Sequence, residues 1–201
     1  EMCIRDRLGG TLNAQLYYRD YFTRFTPFDA RGVATRGRNV DQVMQNSEVF
    51  GSRVTLRTPL GEAGATELLW GADFNQERSD MPIDIFDPGL YDASGGRVYE
   101  KIGRLTYMPD LTTRSLGGFA QLQHRFNEQW SMEGGVRYEY ATARYDDFIP
   151  LSESSAASPA TVAGGEVNYD ALLSNISLTW SPVSGQELYA AFSQGSVSYT
   201  H

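Results

Sequence analysis

The chain has 201 residues, 41% of them hydrophobic and 12% aromatic, with a formal net charge of -8 and a sequence pI near 4.8. This acidity, with basic residues scattered along the chain, argues against nucleic acid as a partner. No stretch approaches the roughly 18 to 20 consecutive apolar residues that a membrane-spanning helix requires. A single cysteine, Cys3, excludes an internal disulfide framework.

Seven segments carry apolar side chains at every second position, a spacing that predicts β-strands with one apolar and one polar face. They are residues 11–25, 46–58, 65–78, 116–126, 130–145, 168–181 and 186–194. The apolar positions are mostly the even-numbered ones: in the fifth segment Trp130, Met132 and Val136 alternate with Ser131 and Glu133. Average hydropathy stays low in such strands even when one whole face is apolar.

The connections between these segments alternate in length. Short connections are predicted at residues 59–64, 127–129 and 182–185, and long polar loops at residues 26–45, 79–114 and 146–167. Strands of soluble proteins usually have about 5 to 6 residues, whereas a tilted transmembrane strand needs about 9 to 11. The sequence therefore predicts an all-β, antiparallel up-and-down meander of about seven long strands, with the short turns and the long loops on opposite sides of a membrane.

Strand register across the short connections follows from keeping apolar side chains on one face. The predicted opposing pairs are Met132 with His124, Ala120 with Val136, Arg57 with Glu67, and Leu178 with Leu188. Two glycine pairs, Gly117-Gly118 and Gly134-Gly135, fall inside strands. They are predicted to give room for a curved wall or a close neighbour rather than to bind phosphate.

No residues form a recognisable catalytic constellation. His124 falls on the apolar face, where interfacial packing is the expected role. Glu67, Asp73 and Glu77 lie at alternate positions of one strand, a spacing that a polar wall explains without acid-base chemistry. The chain is predicted not to be an enzyme.

Four stretches resemble TonB-dependent outer-membrane siderophore receptors. They are LLWGADFNQERSD (residues 68–80), DPGLYDASGG (residues 87–96), FAQLQHRFNEQWSMEGGVRYEY (residues 119–140) and ELYAAFSQG (residues 187–195). The resemblance implies an arc of a 22-stranded transmembrane β-barrel, of which seven strands are roughly a third. It further implies a location in the bacterial outer membrane, contact with outer-membrane lipid, and binding and import of ferric siderophores, with no resident cofactor.

Such receptors have an N-terminal plug and a short box that TonB, the energy-coupling protein, pulls. This chain matches neither, so TonB would act through a missing N-terminal region. Residues 8–195 are predicted to be a partial barrel domain. Residues 1–7 and 196–201 break the pattern of their neighbours and are predicted to be sequencing artefacts.

The long loop at residues 79–114 carries the candidate ligand-binding residues. Aromatic and basic side chains above a barrel mouth would bind an iron chelate by stacking and by charge. The candidates are Phe86, Tyr91, Arg97, Tyr99, Arg104 and Tyr107, and no metal-binding residues are predicted.

Two other functions fit the same strands. A passive outer-membrane pore or a structural, adhesive β-barrel would share every strand and differ in lacking the plug and the TonB box. A soluble secreted β-sandwich would have shorter strands and a second packed sheet.

Overall fold

The structure, a computed structural model, describes residues 2–5, 10–36, 38–61, 64–151 and 158–195. Nine strands are present in this part of the chain, together with one short helix, α1 (Pro88–Ala93), and a 3-10 turn at Ala34–Arg36. The strands are β1 (Met2–Arg5), β2 (Thr11–Arg24), β3 (Phe28–Asp29), β4 (Val40–Leu60), β5 (Thr66–Phe86), β6 (Lys101–Arg125), β7 (Trp130–Tyr145), β8 (Gly165–Trp180) and β9 (Leu188–Ser193).

The strands form one antiparallel sheet in the order β1-β2-β4-β5-β6-β7-β8-β9, and β3 pairs with β4 at the edge of this path. Each long strand therefore pairs with the long strand that follows it in the chain, which confirms the predicted meander. The sheet does not close on itself within the described residues. No helix in this part of the chain is long and apolar enough to cross a membrane.

Register keeps the two faces of the sheet separate across its whole width. In the ladders from β2 to β9, even positions pair with even positions, apart from Met81 with Met108 and Phe86 with Lys101 at irregularities in the β5–β6 pair. We call the even-numbered side the apolar face and the odd-numbered side the polar face. Large side chains exposed on the apolar face include Leu16, Tyr18, Phe50, Val54, Trp70, Leu116, Leu122, Val136, Tyr138, Leu172, Ile176, Leu178, Leu188 and Phe192.

The described residues contain a single sheet, so no second sheet packs on this apolar face. Leu16 and Leu172 are 72% and 64% exposed, and their neighbours are similarly open. A contiguous apolar surface of this extent is unusual for a soluble monomer and marks a membrane or protein contact. The β-sandwich alternative predicted the opposite, namely an apolar face buried under a partner sheet.

Glycines on the polar face let long side chains cross a neighbouring strand. Arg137 of β7 lies over Gly117 of β6, and its guanidinium donates two hydrogen bonds, of 2.8 and 2.9 Å, to Asp73 of β5. Tyr17 of β2 likewise crosses Gly51 of β4, and its hydroxyl donates to Asn75 of β5 over 3.0 Å. Any Cβ on either glycine would overlap the crossing side chain.

The glycine prediction is confirmed at both pairs. Gly117 provides room for Arg137, and the side chain of Asn175 lies against Gly135. Since both contacts are on the odd-numbered face, the glycines relieve crowding on the polar side of the wall.

Three strands are much longer than the sequence predicted. Strands β4, β5 and β6 have 21, 21 and 25 residues, and β5 and β6 continue to Phe86 and from Lys101. The predicted long loop at residues 79–114 is therefore wrong, because only residues 87–100 connect the two strands. The predicted loop at residues 26–45 is also too long, since β4 begins at Val40.

The extensions were missed because the apolar positions change face there. Beyond residue 80, the apolar side chains of β5 are the odd-numbered Met81 and Ile83, which pack with Val43 of β4, Leu105 of β6 and Leu151. A register irregularity between Ser79 and Met81 accompanies the change. A single alternating pattern therefore does not run through these strands, and the sequence read as a loop.

Two of the four predicted residue pairs are confirmed and two are displaced. His124 pairs with Met132, and Ala120 with Val136. Arg57 instead pairs with Leu69, yet its guanidinium still reaches Glu67 diagonally at 3.0 Å. The prediction for Leu178 and Leu188 is wrong by two residues, because Leu178 pairs with Ala190. Both displacements leave each residue on its predicted face.

The end of the sheet with the short turns carries aromatic contacts. Trp130 and Trp180 pair across β7 and β8 and stack with ring centroids 5.6 Å apart. The His124 ring packs edge-on against Phe126, and its Nδ1 lies 2.7 Å from the Thr66 hydroxyl, which confirms a packing role for this histidine.

The predicted artefact segments lie mostly outside the described residues, which include nothing from 196 to 201. Met2–Arg5 form β1 and pair antiparallel with β2. The artefact prediction for both ends stays a prediction.

Gly117→Ala should destabilise the sheet by about 1–3 kcal/mol, because the new methyl group displaces Arg137 from Asp73. Gly118→Ala is the matched control, since a Cβ there meets nothing within 4 Å. Unfolding of the purified protein by guanidinium chloride in detergent, monitored by tryptophan fluorescence, measures the change in stability of each variant. In an Arg137→Met background the Gly117→Ala change should cost little, and an undiminished cost there would contradict this explanation.

Candidate functional site

The long connections gather at one end of the sheet, which we call the loop end. Loop 1 comprises residues 25–39, loop 2 residues 87–100 and loop 3 residues 146–164. These loops carry aromatic and charged side chains that lie outside the alternating pattern of the strands. The three loops together are the candidate functional site.

Loop 2 is closed at its base and capped by its own sequence. The Asp87 backbone N–H donates to Glu100 O over 2.9 Å, and the Asp87 carboxylate accepts from Leu90 N at 2.8 Å as the N-cap of α1. Pro88 suits the first helical turn, and Gly95 and Gly96 end the helix with φ of 62° and 79°. The tip of the β5–β6 hairpin therefore has a defined shape.

Three aromatic side chains cluster on this tip. The Tyr99 ring lies 5.4 Å from Phe86 and 5.6 Å from Tyr91, both measured between centroids, in edge-on and tilted arrangements. Within the cluster Phe86 is buried, while Tyr99 is 37% exposed. The cluster therefore presents an aromatic surface supported from below.

Arg31 joins loop 1 to loop 2. Its guanidinium makes ion pairs of 2.7 Å with Asp29 and 2.8 Å with Asp92, and it lies over the Tyr91 ring at 5.7 Å. Hydrogen bonds from Arg31 lower the pKa of Asp29 to about 2 and also lower the pKa of Asp92. We call Arg31, Asp29 and Asp92 the loop clamp.

A second arginine fixes loop 1 to the sheet. Arg36 pairs at 2.8 Å with Asp41, whose side chain is fully buried, and its guanidinium lies over the rings of Phe28 at 4.9 Å and Tyr107 at 5.8 Å. A buried carboxylate without this partner would be costly. Arg36 is therefore held between β3, β4 and β6.

A third charged cluster joins the outer ends of β5 and β6. Asp84 pairs with Lys101 at 2.7 Å and with Arg104 at 2.8 Å. Burial alone would raise the pKa of Asp84, but hydrogen bonds from Arg104 and Lys101 outweigh it and lower the pKa. The carboxylate stays charged and holds both cations.

Loop 3 folds back over the sheet through one apolar contact. Leu151 is buried against Val43 and Ile83, with Met81 and Leu105 around them. The bridge between Phe148 and Val162 closes the base of the loop. All three loops are thus anchored to strands or to one another.

The six predicted ligand residues fall into different environments. Phe86, Tyr91 and Tyr99 come together in the aromatic cluster, Arg104 is paired with Asp84, and Tyr107 lies beside Arg36. Arg97 is exposed, and its guanidinium has no ion-pair partner in the described part of the chain. Ligand contact by these six residues stays a prediction.

Sequence reasoning missed the loop clamp and Arg36. The sequence spacing contained one usable signal for the loop clamp. The Asp29 carboxylate accepts a hydrogen bond from Arg31 N at 3.0 Å, and this forms a local turn of the kind that aspartate favours in loops. The partner Asp92, 61 residues further along, had no such signal. Within the described residues, no group of three or more His, Cys, Asp or Glu side chains could hold a metal ion.

Together these features define a class: an open antiparallel wall with an exposed apolar face and loops organised at one end. Residues 4–199 match the family described as TonB dependent receptor-like, beta-barrel, and the chain belongs to this family. The family consists of receptors and transporters, and its β-barrel proteins are located in the bacterial outer membrane.

Two curated relatives carry names that specify a ligand. The chain is 30% identical over 196 residues to the rhizobactin receptor of Rhizobium meliloti, and 30% identical over 194 residues to the ferric aerobactin receptor of Klebsiella pneumoniae. Each match covers 94% of this chain and 26% of the relative. The chain therefore spans about a quarter of the length of these relatives.

Solved structures show the same fold at lower identity. The copper transporter OprC superimposes with a TM-score of 0.67 at 14% identity, covering 91% of this chain and 27% of OprC. The ferric yersiniabactin uptake receptor FyuA from Yersinia pestis gives a TM-score of 0.61 at 15% identity, covering 90% and 24%.

Replacing the clamp arginine should loosen the tip of loop 2. Arg31→Gln removes both ion pairs, and we expect chymotrypsin cleavage at Leu90, Tyr91 or Tyr99 to accelerate by up to about fivefold, the size expected for partly exposed pairs. Arg24→Gln is the control, because Arg24 is an exposed arginine of β2 that lies over the Phe22 ring and makes no ion pair with the described residues. Equal cleavage rates in the two variants would contradict the clamp.

The clamp should depend on pH only in strong acid. Because the folded pKa of Asp29 lies below its ordinary value of 3.8, its contribution is complete above that value and is lost as pH falls through about 2. Carbon-detected NMR of labelled aspartate should give an Asp29 midpoint near 2, and Arg31→Gln should return it to the ordinary range. An ordinary midpoint in the unsubstituted protein would refute the assignment.

Proposed function

We propose that this chain is part of the barrel wall of an outer-membrane receptor that binds and imports a ferric siderophore. The observation that carries the proposal is the similarity to the rhizobactin and ferric aerobactin receptors, which extends over 94% of the chain. The transported chelate is the substrate, and no resident cofactor is part of the proposal.

The exposed apolar face supports a place in the outer membrane. Strands of 14 to 25 residues on β2, β4, β5, β6, β7 and β8 exceed the about 9 to 11 residues that a tilted strand needs to cross a bilayer. In a membrane, lipid covers Leu16, Leu172 and their neighbours, and the odd-numbered face lines a polar interior. The remaining length of β5 and β6 then stands outside the bilayer.

Ligand contact is assigned to the exposed members of the candidate set. Tyr99 presents a supported aromatic face, Arg97 a cation without an ion-pair partner in the described residues, and Tyr107 a half-exposed ring beside Arg36. Aromatic faces and guanidinium groups suit a chelate with planar or acidic groups. Phe86 and Tyr91 pack against the Tyr99 ring, and Arg104 is engaged by Asp84.

Energy for import would come from TonB, acting on a region that this chain does not contain. A passive pore or an adhesive barrel is the second candidate, favoured by the same exposed apolar face and distinguished by needing no energy coupling. Ligand uptake that continues without TonB would support the pore over the receptor.

Uptake by the complete protein tests the proposal. The gene is expressed in an iron-starved strain that lacks its own siderophore receptors, and cells are given radiolabelled ferric aerobactin or ferric rhizobactin. We expect accumulation of at least one of them, abolished when TonB is deleted. Binding of neither chelate, in cells or to purified protein, would reject these ligands for this receptor.

Point variants test the assigned contacts. Tyr99→Ala and Arg97→Gln should each weaken binding of the accepted chelate by roughly tenfold, the loss expected for one stacking or charge-assisted contact. Tyr99→Phe should retain most of the affinity, because the ring remains. Arg125→Gln, at the opposite end of β6, is the control for Arg97 and should bind normally. Unchanged affinity in Tyr99→Ala and Arg97→Gln would move the ligand site elsewhere.

A further inference from the structure

Tyr107 lies at an irregular point of β6. Its two neighbours in the chain pair with Met81 and Pro82, which are consecutive residues of β5, so Tyr107 is the extra residue of a β-bulge. On its other side β6 has no partner there, because the ladder with β7 extends only as far as Leu111. A bulge turns a side chain out of the regular alternation. The ladders alone therefore do not fix the direction of the Tyr107 ring.

A guanidinium group lies over this ring. The Tyr107 side chain is 51% exposed, and Arg36 Cζ lies 5.8 Å from the ring centroid. Within the described residues the ring makes no contact with another aromatic ring, and its hydroxyl makes no hydrogen bond. Tyr99 differs, because two aromatic rings pack against it. The attraction between a cation and a ring face therefore orients Tyr107.

Arg36 is itself held in place by a buried carboxylate. It ends the 3-10 turn at Ala34–Arg36, and its Nη2 and Nε donate to the two carboxylate oxygens of Asp41 over 2.8 and 3.4 Å. Phe28 pairs with Asp41 across β3 and β4, and the Phe28 ring centroid lies 4.9 Å from Arg36 Cζ. Two hydrogen bonds and a second ring thus fix the guanidinium that lies over Tyr107.

These contacts suit Arg36 to orient a ligand contact rather than to be one. The Arg36 side chain is only 20% exposed, and the Asp41 side chain is fully buried. A ligand carboxylate that took the guanidinium would leave the Asp41 carboxylate buried without a partner, which is strongly unfavourable. The half-exposed Tyr107 ring carries no such constraint.

We propose that Arg36 is a positioning residue for chelate binding, held by Asp41 and acting through the ring of Tyr107. A bound chelate packs on the exposed part of that ring, while the guanidinium keeps the ring in its binding orientation. The inference rests on the proposed function, in which Tyr107 is a ligand contact. It adds a residue of loop 1 that the chelate does not touch.

Binding of ferric aerobactin and ferric rhizobactin to the complete protein in detergent tests the proposal. Arg36→Gln alone would leave Asp41 buried and unpaired, so it is combined with Asp41→Asn, which removes both charges. We expect this double variant to bind the accepted chelate roughly two- to fivefold more weakly, the loss expected for one contact between a cation and a ring. Arg24→Gln is the matched control and should bind normally, because Arg24 lies over the Phe22 ring, which is not a proposed contact.

A Tyr107→Ala background separates positioning from a general effect on the loops. If Arg36 acts through the ring, the double variant should cost no further affinity once the ring is gone. A merely structural role would lower the affinity by the same factor in both backgrounds, and that result would overturn the proposal.

A fluorine label detects the orientation of the ring without any ligand. Tyr107 is replaced by fluorotyrosine in the complete protein, and fluorine NMR is recorded in detergent. We expect the resonance to shift when Arg36→Gln and Asp41→Asn are introduced, and to keep its position in Arg24→Gln. An unchanged resonance in the double variant would show that Arg36 does not orient the ring, whatever the chelate affinities are.

The unsubstituted protein separates this proposal from the receptor function. Chelate binding that is equally strong in the double variant would overturn the positioning role and leave the receptor function standing. Binding of neither chelate by the unsubstituted protein would reject these ligands for the receptor, and with them the role of Arg36 in chelate binding.

Discussion

The two-faced wall depends on the backbone ladders, which keep even positions opposite even positions from β2 to β9 apart from the irregularities in the β5–β6 pair. A slip of one residue in the β5–β6 or β6–β7 ladder would put Asp73 or Arg137 on the apolar face, so the register there is strongly constrained. Near the short turns, the same constraint crowds long polar side chains such as Arg53, Asp73 and Arg137 onto one face. Gly117 and Gly51 relieve that crowding, and each of them lets a neighbour's side chain reach across a strand to its partner.

The alternation of apolar and polar residues predicted the strands well only where each face of the sheet keeps the same environment along the strand. In the part of each strand nearer the short turns, most apolar side chains are on the even face, and every predicted strand is present. Beyond that zone Met81 and Ile83 turn to the odd face, where Leu151 covers them. Leu151 lies in loop 3, 68 residues after Ile83. No pattern in the sequence around Ile83 therefore indicates that Leu151 buries it.

The candidate site was predictable by residue type and not by arrangement. Aromatic and basic side chains in residues 79–114 were singled out as a group, and three of them form one cluster, while their contact with a ligand stays a prediction. Which of them are exposed depends on contacts distant in sequence. Arg31 reaches Asp92 across 61 residues, and Arg104 is neutralised by Asp84 on the facing strand. Spacing within one segment contains no information about either pairing.

The wall and the loops are held by different interactions, and this difference decides where the protein can move. Long ladders of backbone hydrogen bonds fix the strands, whereas the clamp consists of ion pairs whose side chains are 35% to 57% exposed. Exposed pairs contribute little individually and exchange readily with solvent. A ligand that competes for Arg31 or packs on Tyr99 therefore has to overcome only weak local contacts to shift loop 2. The registers of β5 and β6 need not change, so ligand-driven movement at the loop end is compatible with a rigid wall.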